Sequence, residues 1–145
     1  MIHRLVLMTF ACCGAACALA GCSRNVSAPA TAPVKGQVLC QGRPLAGIRV
    51  AFHPRVDFGR VKFLPSGITD SGGHFQLSTA APNDGAPPGE YTVTFSYPVV
   101  QSDRENSGVE VEVDFWKGAY DDPSTSKWTA QVKKGANDLE PFRIE

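Results

Sequence analysis

The chain has no excess of charge of either sign, and its basic residues form no cluster. Its 145 residues include 14 Lys and Arg against 14 Asp and Glu, so the formal net charge at pH 7 is zero. A domain that binds the phosphate backbone of a nucleic acid carries an excess of positive charge on one face. The composition therefore excludes nucleic acid as an expected partner.

Cysteine is scarce once the N-terminal segment is set aside. Cys12, Cys13 and Cys17 lie in an apolar run near the N-terminus, and Cys22 follows directly after that run. Cys40 is then the last of the five cysteines, so a disulfide framework and a cysteine-based metal site are excluded within the rest of the chain. Cys40 lies on the apolar side of a predicted strand, where we expect a buried small hydrophobe rather than a reactive thiol.

The sequence also lacks a helical hydrophobic stripe, a Gly-rich phosphate loop, a Ser-His-Asp spacing and paired catalytic carboxylates. Its apolar residues recur with a period of two, which is typical of half-buried β-strands. The clearest example is residues 91–97, where aromatic residues and Val93 alternate with Thr and Ser. We therefore expect a protein that is not an enzyme and that holds neither a cofactor nor a metal.

The same alternation predicts seven or eight short strands in a single domain. Runs of Gly, Pro, Asn and Asp separate the strands and predict turns. Because each strand has one apolar and one polar face, the pattern predicts an all-β fold, an antiparallel Greek-key sandwich of two sheets. Pro141 indicates that the last strand is an edge strand or is bulged. The predicted strands lie near residues 34–40, 48–53, 75–77, 91–97, 109–114, 128–133 and 139–144.

A short apolar segment near the N-terminus predicts secretion. A single Arg4 precedes an apolar run of about 16 residues, a length that suits a signal peptide and is short for a bilayer-spanning helix. The run ends at a motif that resembles a bacterial lipobox. Its residues are Leu19, Ala20, Gly21 and Cys22.

The lipobox resemblance implies that Cys22 is a lipidation site. Its thiol would receive a diacylglyceryl group, the chain would be cut before it, and the new amine would carry a further acyl chain of the palmitate type. Two or more acyl chains hold a protein firmly on a bilayer. Two alternatives remain open for this segment, namely an ordinary secretory signal and a short anchor that is never cleaved.

These features divide the chain into three parts. Residues 1–21 form the predicted lipoprotein signal peptide, residues 22–33 a flexible tether rich in Pro, Ala and Ser, and residues 34–145 a single domain. At about 3 Å per residue, the extended tether spans up to roughly 30 Å. We therefore expect a domain that is lipid-anchored to a bacterial cell-envelope membrane, on its periplasmic or cell-surface side.

Three motifs in the predicted domain resemble the transthyretin-like, carboxypeptidase-regulatory-like β-sandwiches. The tail at residues 120–137 is similar to the end of small lipobox-bearing members of the planctomycete type. The resemblance implies the sandwich fold and implies no particular activity. The motifs are Gly36-Gln37-Val38 with Gly42-Arg43-Pro44-Leu45-Ala46-Gly47, Thr69-Asp70-Ser71-Gly72-Gly73-His74-Phe75, and Pro88-Gly89-Glu90-Tyr91-Thr92-Val93.

Physical chemistry assigns the same motifs to turns. Gly42 can adopt a positive φ and Pro44 fixes the exit of the turn. The Asp70 carboxylate can accept hydrogen bonds from the backbone of the turn that it begins, and a following glycine can adopt the left-handed conformation. Tyr91 has the position of a tyrosine corner. The residues assigned to structural turns are Gly42, Pro44, Asp70, Gly73, Gly89 and Tyr91.

We expect the domain to be a non-catalytic module that binds an envelope protein or a polysaccharide through its loops or a sheet edge. Aromatic side chains on loops can stack on sugar rings or anchor a protein partner. Core packing is the competing interpretation for most of the aromatic residues. The candidates are Phe58, Phe63, Phe115, Trp116, Tyr120 and Trp128.

A hydrolase is the alternative from a different functional class. One branch of the transthyretin-like fold resembles 5-hydroxyisourate hydrolase, which relies on His and Arg groups and on a C-terminal Tyr-Arg-Gly-Ser. This chain ends at Phe142-Arg143-Ile144-Glu145 and lacks that tail. His53 and His74 would be its catalytic residues, but we expect both to be solvated and far apart.

A calcium site is a second alternative. Glu110, Glu112 and Asp114 share one face of a predicted strand, and Asp121 follows closely in sequence. Carboxylate oxygens are the ligands that Ca²⁺ prefers. The alternation with valine favours a simpler interpretation, in which these acids form the solvated face of a strand and discourage pairing with other sheets.

Overall fold

The computed structural model of the chain describes residues 29–59, 62–103 and 109–145. All regular secondary structure in these residues is β, which confirms the predicted all-β fold class. The described residues form eleven strands, more than the seven or eight predicted. In chain order they are β1 Val34–Cys40, β2 Arg43–Pro44, β3 Arg49–Pro54, β4 Ser66–Ile68, β5 His74–Gln76, β6 Gly89–Ser96, β7 Pro98–Asp103, β8 Val109–Asp114, β9 Trp128–Val132, β10 Asn137–Asp138 and β11 Phe142–Ile144.

The predicted signal peptide, the lipobox and Cys22 lie outside the described residues. Within the described part of the chain, no helix is long and apolar enough to cross a membrane. The lipid anchor therefore stays a prediction from the sequence.

Strand β1 is the centre of the first sheet. It pairs antiparallel with β5, and with β2 through a tight turn, on one side. On the other side it pairs parallel with β10 and β11. The parallel pairing departs from the predicted antiparallel arrangement. It arises because the chain crosses from the second sheet to the first before β10 and then runs in the same direction as β1.

The second sheet is antiparallel, with the strand order β4-β3-β6-β9. Its apolar face packs on that of the first sheet, as shown by Phe52 and Phe95, whose ring centroids lie 6.3 Å and 5.5 Å from that of Phe142. Burying each large apolar side chain stabilises the fold by roughly 1.5–3 kcal/mol. The buried residues that the two sheets contribute are Val34, Val38, Val50, Phe52, Phe75, Tyr91, Val93, Phe95, Val132, Phe142 and Ile144.

Strands β7 and β8 form a separate hairpin that continues from the end of β6. The sequence pattern does not predict β7, and its alternation assigns Val109 and Val111 to a buried face. In the structure Val109 is 57% exposed and Val111 is also exposed. The alternation therefore predicts the strand correctly. The hairpin, however, extends past the end of the core, and its apolar face remains accessible to solvent.

The predicted tether joins one end of the sandwich. Ala32 exchanges backbone hydrogen bonds of 2.9 Å and 3.0 Å with Ala86 and is buried, so the folded domain begins before the predicted boundary at residue 34. We call this the entry end. Strand β1 leads away from it over about 20 Å to Cys40, which is half-buried rather than buried as predicted. We call the Cys40 end, where β6 also ends, the far end.

Candidate ligand-binding surface

The turn glycine Gly42 has the predicted geometry. Its φ is +76°, and Gln41 before it also has a positive φ of 49°. The two residues connect β1 to β2 as a two-residue hairpin loop of the type that matches the twist of the strands. Pro44 follows as the last residue of β2. This turn shapes the edge of the first sheet and brings no chemical group into a cleft.

Asp70 caps the turn before β5. Its Oδ1 accepts hydrogen bonds from the backbone amides of Gly72 at 2.8 Å and His74 at 2.9 Å. Gly73 adopts a φ of +72°, and its carbonyl accepts a 2.8 Å hydrogen bond from the amide of Val38. These hydrogen bonds explain why an aspartate begins this turn.

Tyr91 forms a tyrosine corner at the entry end. Its hydroxyl donates a 2.6 Å hydrogen bond to the carbonyl of Pro87, and its ring is fully buried. Burial raises the pKa of the Tyr91 hydroxyl to about 12, because the phenolate would be poorly solvated there. Gly89 begins β6 two residues earlier. Both residues serve the fold.

The two histidines lie on opposite outer faces of the sandwich. Phe52 in β3 and Phe75 in β5 face the core between the sheets, so the adjacent residues His53 and His74 point away from it. His74 is exposed, and its Nδ1 lies 3.7 Å from Oδ1 of Asp70. The structure does not bring the two imidazoles into one cleft.

His53 departs from the expectation of a solvated side chain. It is half-buried, and its Nε2 lies 2.9 Å from Oγ1 of Thr94 in the neighbouring strand β6. Thr94 itself is buried, although the alternation assigns it to the polar face. Burial lowers the pKa of His53, because the imidazolium is less well solvated than in water. The hydrogen bond to Thr94 gives His53 a structural role.

The acidic residues of the hairpin do not converge. The Asp114 carboxylate accepts hydrogen bonds from the backbone amides of Tyr97 at 2.7 Å and Gly118 at 2.8 Å. Glu110 and Glu112 are exposed, and Glu112 lies 3.4 Å from the guanidinium of Arg49. Across the described residues, no group of three or more His, Cys, Asp and Glu side chains has the arrangement of a metal site. Asp114 is thus a turn cap.

A continuous line of aromatic side chains occupies the far end. Successive ring centroids along it are separated by 5.8, 5.7, 5.2 and 5.7 Å. Such spacings are those of favourable aromatic pairs. Four of the rings are half-buried, and Phe115 is 61% exposed. We call this group the aromatic row, and its members in spatial order are Phe115, Tyr97, Trp116, Tyr120 and Trp128.

The turn after β8 brings the aromatic row together. Asp114 caps it, and the positive φ values of Lys117 and Gly118 reverse the chain. The chain then returns to β6, where the carbonyl of Tyr120 accepts a 2.9 Å hydrogen bond from the amide of Phe95. Residues that are far from Tyr97 in sequence thereby lie beside it.

Two further hydrogen bonds fix the other end of the aromatic row. The hydroxyl of Tyr120 donates to the carbonyl of Glu145 at 2.6 Å, and Nε1 of Trp128 lies 3.3 Å from the carbonyl of Arg143. The ring of Trp128 also contacts Phe95 in the core, with centroids 5.1 Å apart. The row is therefore attached to the rigid part of the sandwich.

A groove of about 520 Å³ lies beside Trp128, on the open side of the sandwich between β9 and residues 139–143. We call it the side groove. It combines an aromatic ring with amide, carboxylate, guanidinium and hydroxyl groups, and Nζ of Lys127 lies 5.0 Å from the ring centroid of Trp128. This composition suits a ligand that offers both flat apolar faces and many hydroxyls. Its lining includes Trp128, Thr129, Gln131, Leu139, Glu140 and Arg143.

The sequence pattern indicates only part of this surface. It singled out Phe115, Trp116, Tyr120 and Trp128, but it assigned Tyr97 to the buried face of a strand. It also missed the polar lining of the side groove. That groove is formed by two segments that belong to different sheets, so no local pattern signals it. Phe58 and Phe63, the other two aromatic candidates, lie together elsewhere with ring centroids 4.9 Å apart.

Comparisons with known proteins leave the family open. No family model and no curated protein matches the sequence. The solved structures that resemble it include a 9R-lipoxygenase from Cyanothece PCC8801, with 18% identity and a TM-score of 0.45 over 79% of this chain, which spans 16% of the lipoxygenase. They also include the major plantain pollen allergen Pla l 1, with 20% identity and a TM-score of 0.34 over 79% of this chain and 92% of the allergen. Similarities this weak carry no conclusion about activity.

Proposed function

We propose that this protein is a membrane-tethered, transthyretin-like lipoprotein whose β-sandwich binds envelope polysaccharide without catalysing a reaction. The observation that carries the proposal is the aromatic row with the side groove beside it. Sugar rings present apolar C–H faces that stack on aromatic rings, and hydroxyls that pair with planar polar side chains. Trp128 belongs to both the row and the groove, so the two kinds of contact lie next to each other.

The position of the aromatic row supports the same proposal. The chain enters the sandwich at Ala32, whereas Tyr120 bonds to Glu145 beside the strand that pairs with Cys40. The predicted tether and the aromatic row are therefore at opposite ends of the domain. A ligand at the far end does not compete for space with the bilayer to which the tether leads.

The hydrolase alternative gains no support and is not proposed. His53 is occupied by its hydrogen bond to Thr94, and His74 points away from the opposite face of the sandwich. A general acid–base mechanism needs both groups within reach of one substrate.

The ligand-binding part is tested by truncating rings of the aromatic row. We expect Trp128→Ala and Phe115→Ala each to weaken binding of a soluble envelope polysaccharide about tenfold, which corresponds to about 1.4 kcal/mol. Calorimetric titration measures the affinity. Phe115→Ala is included because Phe115 is exposed and makes little contact with the core. Phe58→Ala is the matched control, since Phe58 lies outside the row.

Unchanged affinity in both row variants would contradict the proposal. A protein partner that binds the free edge of β9 instead would also contradict it, and would appear as a cross-linked protein in the intact envelope that polysaccharide does not displace.

The anchoring part is tested by lipid labelling. Cells that produce the full chain and are fed a clickable fatty acid should incorporate the label into the wild type and not into Cys22→Ser, because the thiol is the predicted acceptor. Cys40→Ser is the matched control and should be labelled like the wild type. Equal labelling of the wild type and Cys22→Ser would refute the anchor.

A further inference from the structure

The loop between β3 and β4, described at residues 55–59 and 62–65, lies at the entry end. The backbone amide of Arg55 donates a 2.9 Å hydrogen bond to the carbonyl of Glu90. Phe58 and Val56 are the side chains nearest to Gly89, because a Cβ placed on that glycine would lie 3.3 Å and 3.5 Å from them. Gly89 lies three residues after Ala86, and Ala86 pairs with Ala32. The loop is therefore next to the point where the tether joins the domain.

This loop exposes apolar and basic side chains together. Val56 is 46% exposed and Leu64 is 50% exposed. Arg55 and Lys62 are also exposed. The paired rings of Phe58 and Phe63 hold the described part of the loop, so these side chains are displayed on a structured surface.

A second basic element flanks the same point. The turn between β9 and β10 carries Lys133 and Lys134, both of which are exposed. Asn137 organises this turn by donating to the carbonyls of Lys133 and Gly135 at 2.9 Å each. The backbone amide of Asn137 donates a 2.9 Å hydrogen bond to the carbonyl of Pro33, the residue that follows Ala32 where the chain enters the domain.

Four acidic side chains also lie at this end. Asp57 lies 3.7 Å from Nζ of Lys62, and Glu90 is exposed. The Asp84 carboxylate is occupied by the backbone amides of residues 79–81, and Lys35 lies opposite Asp138. Among the described residues, Arg55, Lys133 and Lys134 form no ion pair with any of these acids, so their charges remain available to a ligand.

We propose that the entry end docks on an anionic bilayer surface. Arg55, Lys62, Lys133 and Lys134 face the lipid phosphates, and Val56 and Leu64 enter the headgroup region. We call these six residues the docking surface. Basic side chains close to anionic lipids and apolar side chains at the interface both favour contact with a bilayer.

The docking inference rests on the proposed anchoring, because the tether supplies the proximity. A lipid at Cys22 and a tether that spans at most roughly 30 Å keep the docking surface at a high local concentration near the bilayer. Contacts that are too weak to recruit a free protein are then sufficient to orient an anchored one. Docking of the entry end turns the aromatic row away from the membrane.

The experiment uses the full lipidated chain, reconstituted in vesicles of phosphatidylglycerol or of phosphatidylcholine alone. An environment-sensitive dye is attached at Val56→Cys, and at Val100→Cys as the matched position on the far-end hairpin, both in a Cys40→Ser background. Val100 is chosen because it is 66% exposed. Flotation of the vesicles reports the anchor, and the emission of the dye reports docking.

We expect the dye at position 56 to shift to shorter wavelength and to brighten on phosphatidylglycerol vesicles, with no change at position 100. Adding Arg55→Glu, Lys133→Glu and Lys134→Glu should abolish the shift and leave flotation unchanged. Water-like emission at position 56 on protein that floats would overturn docking alone. Failure of the chain to float would overturn both docking and the proposed anchor.

Discussion

Among single residues, His53 stabilises the second sheet through its hydrogen bond to the buried Thr94. It occupies the polar side of β3 by alternation, yet it is half-buried because β6 supplies a hydrogen-bond partner, Thr94, beside it. That pairing joins residues 41 positions apart. The period of a strand predicts which face a residue occupies, but it does not predict which neighbour covers it.

We expect His53→Ala to lower the free energy of unfolding by about 1–2 kcal/mol, because it removes a hydrogen bond and leaves the buried Thr94 hydroxyl without its partner. His74→Ala is the matched control and should change it by less than about 0.5 kcal/mol, as exposed substitutions usually do. Urea denaturation near neutral pH measures both. Equal costs for the two variants would contradict the structural role of His53.

The pH dependence of stability separates the two histidines further. The pKa of His53 is lower in the folded protein than its ordinary value of 6.5, so the unfolded chain binds the proton more tightly. Stability contributed by neutral His53 is therefore present above pH 6.5 and is lost as the pH falls through the lowered pKa. The wild type should show this loss and His53→Ala should not.

At the scale of the elements, two turn glycines with similar backbone angles should differ in what they tolerate. Gly42 and Gly73 have φ values of +76° and +72°. No atom lies within 4 Å of a Cβ placed at Gly42, whereas a Cβ at Gly73 would lie 2.5 Å from the carbonyl oxygen of Val38. Only the second turn therefore has both a conformational and a packing requirement for glycine.

We expect Gly42→Ala to lower the free energy of unfolding by about 1 kcal/mol, the cost of a left-handed alanine. Gly73→Ala should cost about 3 kcal/mol or more, because its methyl group also pushes β5 away from β1. Thermal or urea unfolding of the two variants distinguishes them. Similar losses would show that the turn before β5 can shift at little cost.

The sequence predicts some strands more accurately than others, because only part of the information that sets a strand is local. Strand β6 was predicted at residues 91–97 and spans Gly89–Ser96, because both the alternation and the flanking turn are local signals. The alternation also predicted β8, but not that its apolar face lies outside the core. The parallel pairing of β10 and β11 with β1 depends on a crossover between sheets, which strand periodicity does not encode.

At the scale of the whole molecule, the fold gives the two ends of the sandwich different surfaces. The entry end carries basic side chains and is where the predicted tether joins, and the far end carries the aromatic row and the acidic face of the β7–β8 hairpin. The sequence predicted four members of the row as candidates. It did not predict that they form one surface, because the turn after Asp114 is what brings them together.

The proposed function depends on the aromatic row as the ligand-binding surface of this protein. The chain contains two tryptophans, Trp116 and Trp128, and both belong to the row. Intrinsic tryptophan fluorescence therefore arises from the aromatic row. The most direct test is to titrate the protein with soluble envelope polysaccharide while recording the emission spectrum, with the Trp128→Phe variant measured in parallel.

We expect a saturable change in tryptophan emission, with a midpoint that matches the calorimetric affinity and a smaller amplitude in Trp128→Phe. Saturable binding measured by calorimetry with no change in the emission of either protein would contradict it, because the ligand would then occupy another part of the molecule.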